Sequence, residues 1–455
     1  MKQMKREYIQ KAWLFVYGAA MITLGIIILV QGEFLITPAA IIGGAIITVN
    51  GVHQIISTLK ANPRLLNGIG NILIGAVTMI APSMTLGILT MIFSLYVLLN
   101  ATVKLIDFIA SVRNKTNDVF VNFISFAFFL TFGVIMLFGS FYDQRGLLVI
   151  AGIYCIMYGA TEIKDFIREV LPNRAKTAIR RKVRVSLPLF VSTFVPLGVL
   201  KNYQKRLDSR EIDIEKLLSE EKIADKNAEP NIHVLIHVSD DGVGMMGHCD
   251  LYFDGEVLSY GNYDASSERM FGALGDGVMF TVDFETYVKY GIKYDNQMIF
   301  DYGLLLSDEQ IEKVRSEIAR LKSIAYRWEP PFQLAREKDS KAKLSDFKDY
   351  CSRLWDGTKA EFYKFKSGKF KSYCVMSTNC VLLADSVLSK AGTDIVNIAG
   401  IISPGSYYDY LQKEYRLENG IVVSRDIYSK YQLQLGDSPK NSVENDKLMK
   451  NHTIS

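Results

Sequence analysis

Six apolar runs crowd the first 170 residues and constrain the fold more than any other feature of the chain. They lie near Ala12 to Val30, Ile36 to Ile56, Leu66 to Ala81, Thr85 to Ile109, Val119 to Leu137 and Leu147 to Ile167. Each approaches the ~20 residues a helix needs to cross the hydrocarbon of a bilayer, the third being the shortest. Backbone polar groups find no water there, so runs of this kind fold as helices. From Lys201 onward charged residues recur every few positions. The 455 residues therefore divide into a membrane half and a soluble half. The opening MKQMKR with its apolar sequel imitates a signal peptide, but the stretch is of full membrane length and a second follows closely, so a retained first span is expected.

The runs repeat. When Leu24-Gly25-Ile26, Ile74-Gly75-Ala76 and Phe132-Gly133-Val134 are aligned, Gly51, Ala101 and Gly159 each fall 26 positions further on. The stretches after them, VHQIISTL, TVKLIDFI and ATEIKDFI, also match. The expected architecture is a membrane bundle of three repeated helical hairpins over residues 1–170. Its small residues sit where helix backbones approach closely in lipid. Charges within the runs (Lys104, Asp107, Glu162, Lys164 and Asp165) lie near helix ends, where snorkelling accounts for them. With no ionisable group at mid-membrane, a pump or carrier is disfavoured.

Basic residues alternate between loops. Lys2, Lys5, Arg6, Lys60, Arg64, Arg113 and Lys115 fall on one side, and a single Arg145 falls in the loops on the other. This pattern puts the N-terminus, and after six spans the soluble domain, in the cytoplasm. Residues 171–230 read as a basic juxtamembrane segment holding an apolar stretch, Leu187 to Leu200, and a charged linker helix. At 14 residues, with two prolines, that stretch suits an interfacial position better than a span, although a crossing would turn the domain outward. Basic residues cluster at membrane flanks instead of forming a stripe, so the net charge of +4 does not signal nucleic acid. The odd count of five cysteines argues against a disulfide framework and for a reducing compartment.

Residues 231–435 change periodicity. NIHVLIHVS, HCDLYFDG and EVLSYG alternate as strands, with Asp254-Gly255 as a tight hairpin turn. Ser307 and Gln310 stand in capping-box register at the head of an amphipathic helix that runs to Ala325, so a mixed α+β domain is expected. Residues 436–455 read as a disordered tail. His233 and His237 share a strand face and read as ordinary core or surface histidines, whereas His248 follows a glycine and opens the strand leading into the hairpin. Cys380 sits in MSTNCVLLADSVLSKAG, where Ser377 or Thr378 can cap a helix that Gly392 ends. A thiol in a helix's first turn has its thiolate stabilised by exposed N–H groups and the positive dipole end. A neighbouring imidazole is the usual proton acceptor. Metal binding by His248, Cys249, Cys374 and Cys380 fits less well, because there is no C-x-x-C pair and adjacent His-Cys side chains point to opposite faces of a strand. No metal or cofactor is expected, and Cys155, Cys351 and Cys374 read as apolar fillers.

Two resemblances follow. The three-hairpin repeat resembles the HdeD-like family of bacterial membrane proteins, associated with acid resistance. GHCDLYFDGEVLSYG, then TNCVLLADSVLSKAG, with GIISPGSYYDYL downstream, resembles the circularly permuted branch of the NlpC-type papain-like superfamily, which includes lecithin retinol acyltransferase-like enzymes. That resemblance implies a permuted papain-like domain with Cys380 as nucleophile and His248 as base. Relatives often carry a third polar residue on the second hairpin strand, where this chain has Ser259, Tyr260 and Asn262; Asn262 is the candidate to hold the imidazole. The expected function is a membrane-anchored cysteine hydrolase or acyltransferase acting on an amide or ester, with a lipid-linked or cell-wall peptide substrate. The alternative is a non-catalytic membrane stress or scaffold protein with an inactive papain-like binding domain. The lipid bilayer is the expected partner, nucleic acid is not, and a homo-oligomer is left open.

Overall fold

The computed structural model describes residues 2–58, 65–139, 145–170, 228–238, 247–295, 297–391, 403–417 and 420–429, which divide into two compact units. The juxtamembrane stretch Leu187 to Leu200, the linker helix and the C-terminal tail lie outside the described residues.

The first unit is helical. α1 (Lys2–Thr58) is two helices joined at Gln31, whose non-helical backbone (φ −132°, ψ 26°) marks the kink. After it come α2 (Leu65–Ile80), α3 (Pro82–Asn114), α4 (Val119–Gly139) and α5 (Arg145–Val170). Among the described residues, three segments are long and apolar enough to span a bilayer: Ala12–Gly32, Pro82–Asn114 and Val119–Gly139. Ala40–Ile56 and Asn67–Ile80 are shorter apolar helices. At 1.5 Å per residue the latter covers only about 20 Å, less than the ~30 Å of hydrocarbon. The expectation of six spans is thus met in part: the six helical segments are present, and three reach full spanning length. Pro82 separates the third from the fourth, because proline suits a helix's first position and not its interior.

The repeated small residues mark where the helices touch, and the contacts run between repeats. A Cβ on Gly25 would lie 2.6 Å from the carbonyl oxygen of Gly152, and one on Gly159 would lie 2.6 Å from that of Gly18. Gly44 faces Gly75 at 2.6 Å and Gly51 faces Gly68 at 2.7 Å in the same sense. Gly133 meets the Leu98 side chain of α3, where Ser94 and Ala101 are buried. The first helix of each repeat therefore packs against the second helix of another: first on sixth, third on second, fifth on fourth. Such contacts link the three hairpins in a cycle, through close backbone approach that any Cβ would block.

The second unit is α+β. Ten strands are described: β1 (Ile232–Val238), β2 (His248–Phe253), β3 (Glu256–Gly261), β4 (Leu274–Asp276), β5 (Val278–Asp283), β6 (Met298–Leu304), β7 (Ala325–Trp328), β8 (Glu361–Phe365), β9 (Ser372–Cys374) and β10 (Val422–Tyr428). Eight form one antiparallel sheet in the order β10-β6-β1-β2-β3-β5-β8-β7, and β4 pairs with β9 as a separate ribbon. The helices are α6 (Phe284–Tyr294), α7 (Asp308–Ser323), α8 (Pro331–Lys338), α9 (Tyr350–Thr358), α10 (Cys380–Leu388) and α11 (Pro404–Arg416).

Both sheet faces are covered. On one, Val234, Ile236, Cys249 and Leu251 pack with Val314 and Leu321 of α7, Leu383 and Val387 of α10, and Tyr407 and Leu411 of α11. On the other, Leu235, Val257 and Phe280 pack with Tyr287 and Val288 of α6 and Cys351 and Leu354 of α9. This is why β1, expected to alternate, is instead buried along nearly its whole length. Asp254 (φ 51°) and Gly255 (φ 86°) make the β2–β3 turn, both left-handed as a two-residue hairpin of this hand requires. The capping box at α7 forms as expected, Ser307 Oγ accepting from Gln310 N and Gln310 Oε1 accepting from Ser307 N.

Candidate active site

His248 and Asp250 are two residues apart on β2, so their side chains share a face. Pairing sets what surrounds them: His237 of β1 lies directly across from His248, and Leu235 lies across from Asp250. Ser259 arrives from β3, which pairs with β2 at Leu251 and Leu258, one residue from Asp250 and from Ser259 respectively. His248 Nε2 lies 2.8 Å from Asp250 Oδ1 and 3.0 Å from both Ser259 Oγ and the Tyr263 hydroxyl. The two hydroxyls are themselves 2.9 Å apart. The approach to Asp250 Oδ1 is off the direction of a hydrogen bond and acts as an ion-pair contact. Tyr287 of α6 donates to Asp250 Oδ2 at 2.8 Å, and His237 Nε2 lies 2.9 Å from the same oxygen. Gln297 Oε1 stands 2.8 Å from His237 Nδ1.

Cys380 is the first residue of α10, near enough to His248 for its thiol to favour the protonated ring. His248 Nε2 is turned toward Asp250, Ser259 and Tyr263. The helix start is built by Asn379, whose side-chain oxygen accepts from Leu382 N at 3.0 Å while its Nδ2 donates to Val375 O at 3.0 Å. Thr378, expected as a cap, instead donates to Ser372 O at 2.8 Å. The N–H groups of Cys380 and Val381 stand in the helix's first turn, where no intrahelical acceptor exists.

Burial opposes protonation of His248, but the Asp250 carboxylate and the Cys380 thiol outweigh it and hold the ring well above its ordinary value. Burial likewise opposes ionisation of Asp250, and the two histidines overcome it and hold the carboxyl well below its ordinary range. Burial, reinforced by Cys380, pushes the neighbouring Cys249 thiol up. Tyr373 is driven up by burial and then by Cys380 and Cys374, so its hydroxyl stays protonated beside the thiol.

Cys380 and His248 are thus brought together. Asn262 is placed elsewhere: its Nδ2 donates to Gly272 O at 3.0 Å and Leu274 O at 3.3 Å, pinning the β3–β4 connection. The acid beside the imidazole is Asp250, on the histidine's own strand. Sequence reasoning passed over it by searching the second hairpin strand, although the two-residue period of HCD places it on His248's face. His237, expected to be an ordinary histidine, is 2% exposed and holds the far carboxylate oxygen.

A second polar cluster joins β1, β6 and β10. His233 Nδ1 lies 2.8 Å from Asp301 Oδ1, and Asp426 pairs across the sheet with Asp301. Burial and Asp301 push Asp426 up to about 6. A carboxyl raised on folding contributes stability below its unfolded value that is lost as pH rises through the folded one. Asp426→Asn is therefore expected to raise Tm at pH 7.5 and to have less effect at pH 5, as thermal melts of the full chain would show.

Residues 66–138 match the family model described as a short repeat of unknown function, DUF308. No curated protein and no solved structure matches the chain. The matched stretch runs from the third helical segment through the fifth and includes two of the three full-length apolar helices. The chain thus carries a DUF308 repeat within its helical unit and is a multi-pass membrane protein whose sequence continues, after the helices, into an antiparallel α+β unit.

Proposed function

We propose that the chain is a membrane-anchored cysteine hydrolase or acyltransferase acting on an amide or ester. The observation that carries this reading is the convergence of a helix-start thiol, a half-buried imidazole and a buried carboxylate on Cys380, His248 and Asp250. In the reaction, Cys380 Sγ, its proton taken by His248, attacks the substrate carbonyl carbon to form a C–S bond. The first-turn amides of Cys380 and Val381 face the developing oxyanion. The imidazolium then gives its proton to the departing amine or alcohol as the carbonyl bond to it breaks, leaving an acyl-thioester. Water releases the acid, or a second amine or alcohol takes the acyl group, with His248 accepting the incoming proton. Asp250 holds the ring and its charge.

The arrangement weakens the scaffold alternative, whose main support was the lack of an acid on the second hairpin strand. The alternation of basic loops favours a cytoplasmic site and a lipid or lipid-linked substrate; an outward-facing unit would favour cell-wall peptide. An activity-based thiol probe applied to the full chain should label the wild type at Cys380 and leave Cys380→Ala unlabelled. Cys249 and Cys351 are buried thiols pushed up by desolvation, and so compete poorly for the probe. Equal labelling of wild type and Cys380→Ala would end the assignment.

A further inference from the structure

The connection between β3 and β4 ends in an unusual tip. Met270 is 65% exposed and Phe271 is fully exposed, two adjacent large apolar side chains with no cover. Met270 (φ 50°), Phe271 (φ 57°) and Gly272 (φ 83°) are all left-handed, a backbone that the first two residues adopt only under strain. The base below is stapled. Lys364 Nζ lies 2.6 Å from Asp264 Oδ2 and 2.9 Å from Asp276 Oδ2, Asn262 ties down the Gly272 and Leu274 carbonyls, and Arg269 bridges to Leu274. A loop that only joined two strands would need neither the strain nor the braces. These hold an apolar point away from the unit.

We propose that the Met270–Phe271 tip inserts into the boundary between head groups and acyl chains of a lipid bilayer. Two side chains are too small an area for a specific protein interface, which takes roughly 800 Å² from each partner. Lipid accepts a point of this size, because an apolar pair needs no matching surface there. The chain's own spanning helices keep a bilayer always at hand. The exposed Arg269 next to the tip suits the anionic head-group layer. The tip also continues into the proposed site: Leu274 pairs with Cys374, and Val375 N donates to Ala273 O at 3.0 Å in the segment that leads to Cys380. Insertion would bring that ribbon to the lipid surface. The docking does not depend on Cys380 being reactive; only its use in admitting a lipid substrate rests on the proposed function.

The test is fluorescence of full-length Phe271→Trp in vesicles of phosphatidylcholine and phosphatidylglycerol, read as the difference from the parent chain with its Trp13, Trp328 and Trp355. The added emission should be blue-shifted, and acyl chains brominated near the head group should quench it more than chains brominated near the methyl end. Met270→Trp should behave alike, which guards against a local effect of one replacement. An added component that is red-shifted, quenched by iodide and untouched by brominated lipid would overturn the proposal. So would a blue-shifted component that brominated lipid leaves intact, because protein would then be covering the tip. No outcome uses chemistry at Cys380, so failure here is distinct from failure of the labelling experiment.

Discussion

Asp250→Asn is expected to cut the rate at which a mild electrophile alkylates Cys380 at neutral pH by on the order of 10²-fold or more, the usual worth of a positioned acid–base partner. The carboxylate is fully buried and is the stronger of the two groups that outweigh burial and keep the His248 ring protonated. An amide of the same shape removes the charge, so burial prevails and the ring becomes neutral. The pH profile tells this apart from a merely structural role. His248 is raised, so the stability it gains from Asp250 is present below its unfolded value and lost as pH rises through the elevated folded one. Asp250 is depressed, so its contribution is present above the ordinary carboxylate range and lost only as strong acid reaches its folded value. Between these limits both members of the Asp250–His248 pair are charged, and the wild type should alkylate faster than Asp250→Asn. The difference should narrow as pH rises past the elevated His248 value, where the ring has lost its charge in both chains. Removing one partner of a buried ion pair also costs about 3–5 kcal/mol of stability, so chemical denaturation should be run beside the kinetics. A folded Asp250→Asn with the wild-type rate and pH profile would strip Asp250 of the positioning role.

The sequence made local features legible and long-range ones only partly so. The Asp254-Gly255 turn, the Ser307 capping box and the placement of Cys380 at a helix start are each written in a few adjacent residues, and all three are present. Asp250 was just as local. The two-residue strand period placed it beside His248, but attention to the second hairpin strand drew the search to Asn262. Tyr287, Tyr263 and His237 could not be found this way, because α6, the β3–β4 connection and β1 converge on β2 only through the sheet order. In the helical unit the repeat identified which small residues matter. It did not say that each would face a different repeat, since spacing along a chain carries no information about which helices become neighbours.

That neighbour relation yields the sharpest contrast available within two adjacent residues. Gly43 and Gly44 lie on the same helix, yet a Cβ on Gly43 meets nothing within 4 Å, while one on Gly44 would lie 2.6 Å from both the carbonyl oxygen of Gly75 and the Met79 Cγ. Helix propensity alone predicts that alanine at either site stabilises by about 0.5–1 kcal/mol. At Gly43 that gain should be kept. At Gly44 the Cβ must push two helix backbones apart, and a carbonyl cannot rotate away as a side-chain end can, so a net loss of about 1–3 kcal/mol is expected. Gly44→Val should lose more still. Heating the full-length variants in one detergent and following the folded fraction by size exclusion would measure both. Parent-like melting of Gly44→Ala, or equal losses for Gly43→Ala and Gly44→Ala, would mean that the second and third helical segments do not meet at Gly44 and Gly75. The cyclic arrangement of the three repeats would then lose one of its three contacts. In lipid no hydrophobic gain drives helices together, so close packing of this kind carries most of the energy that holds the hairpins to one another.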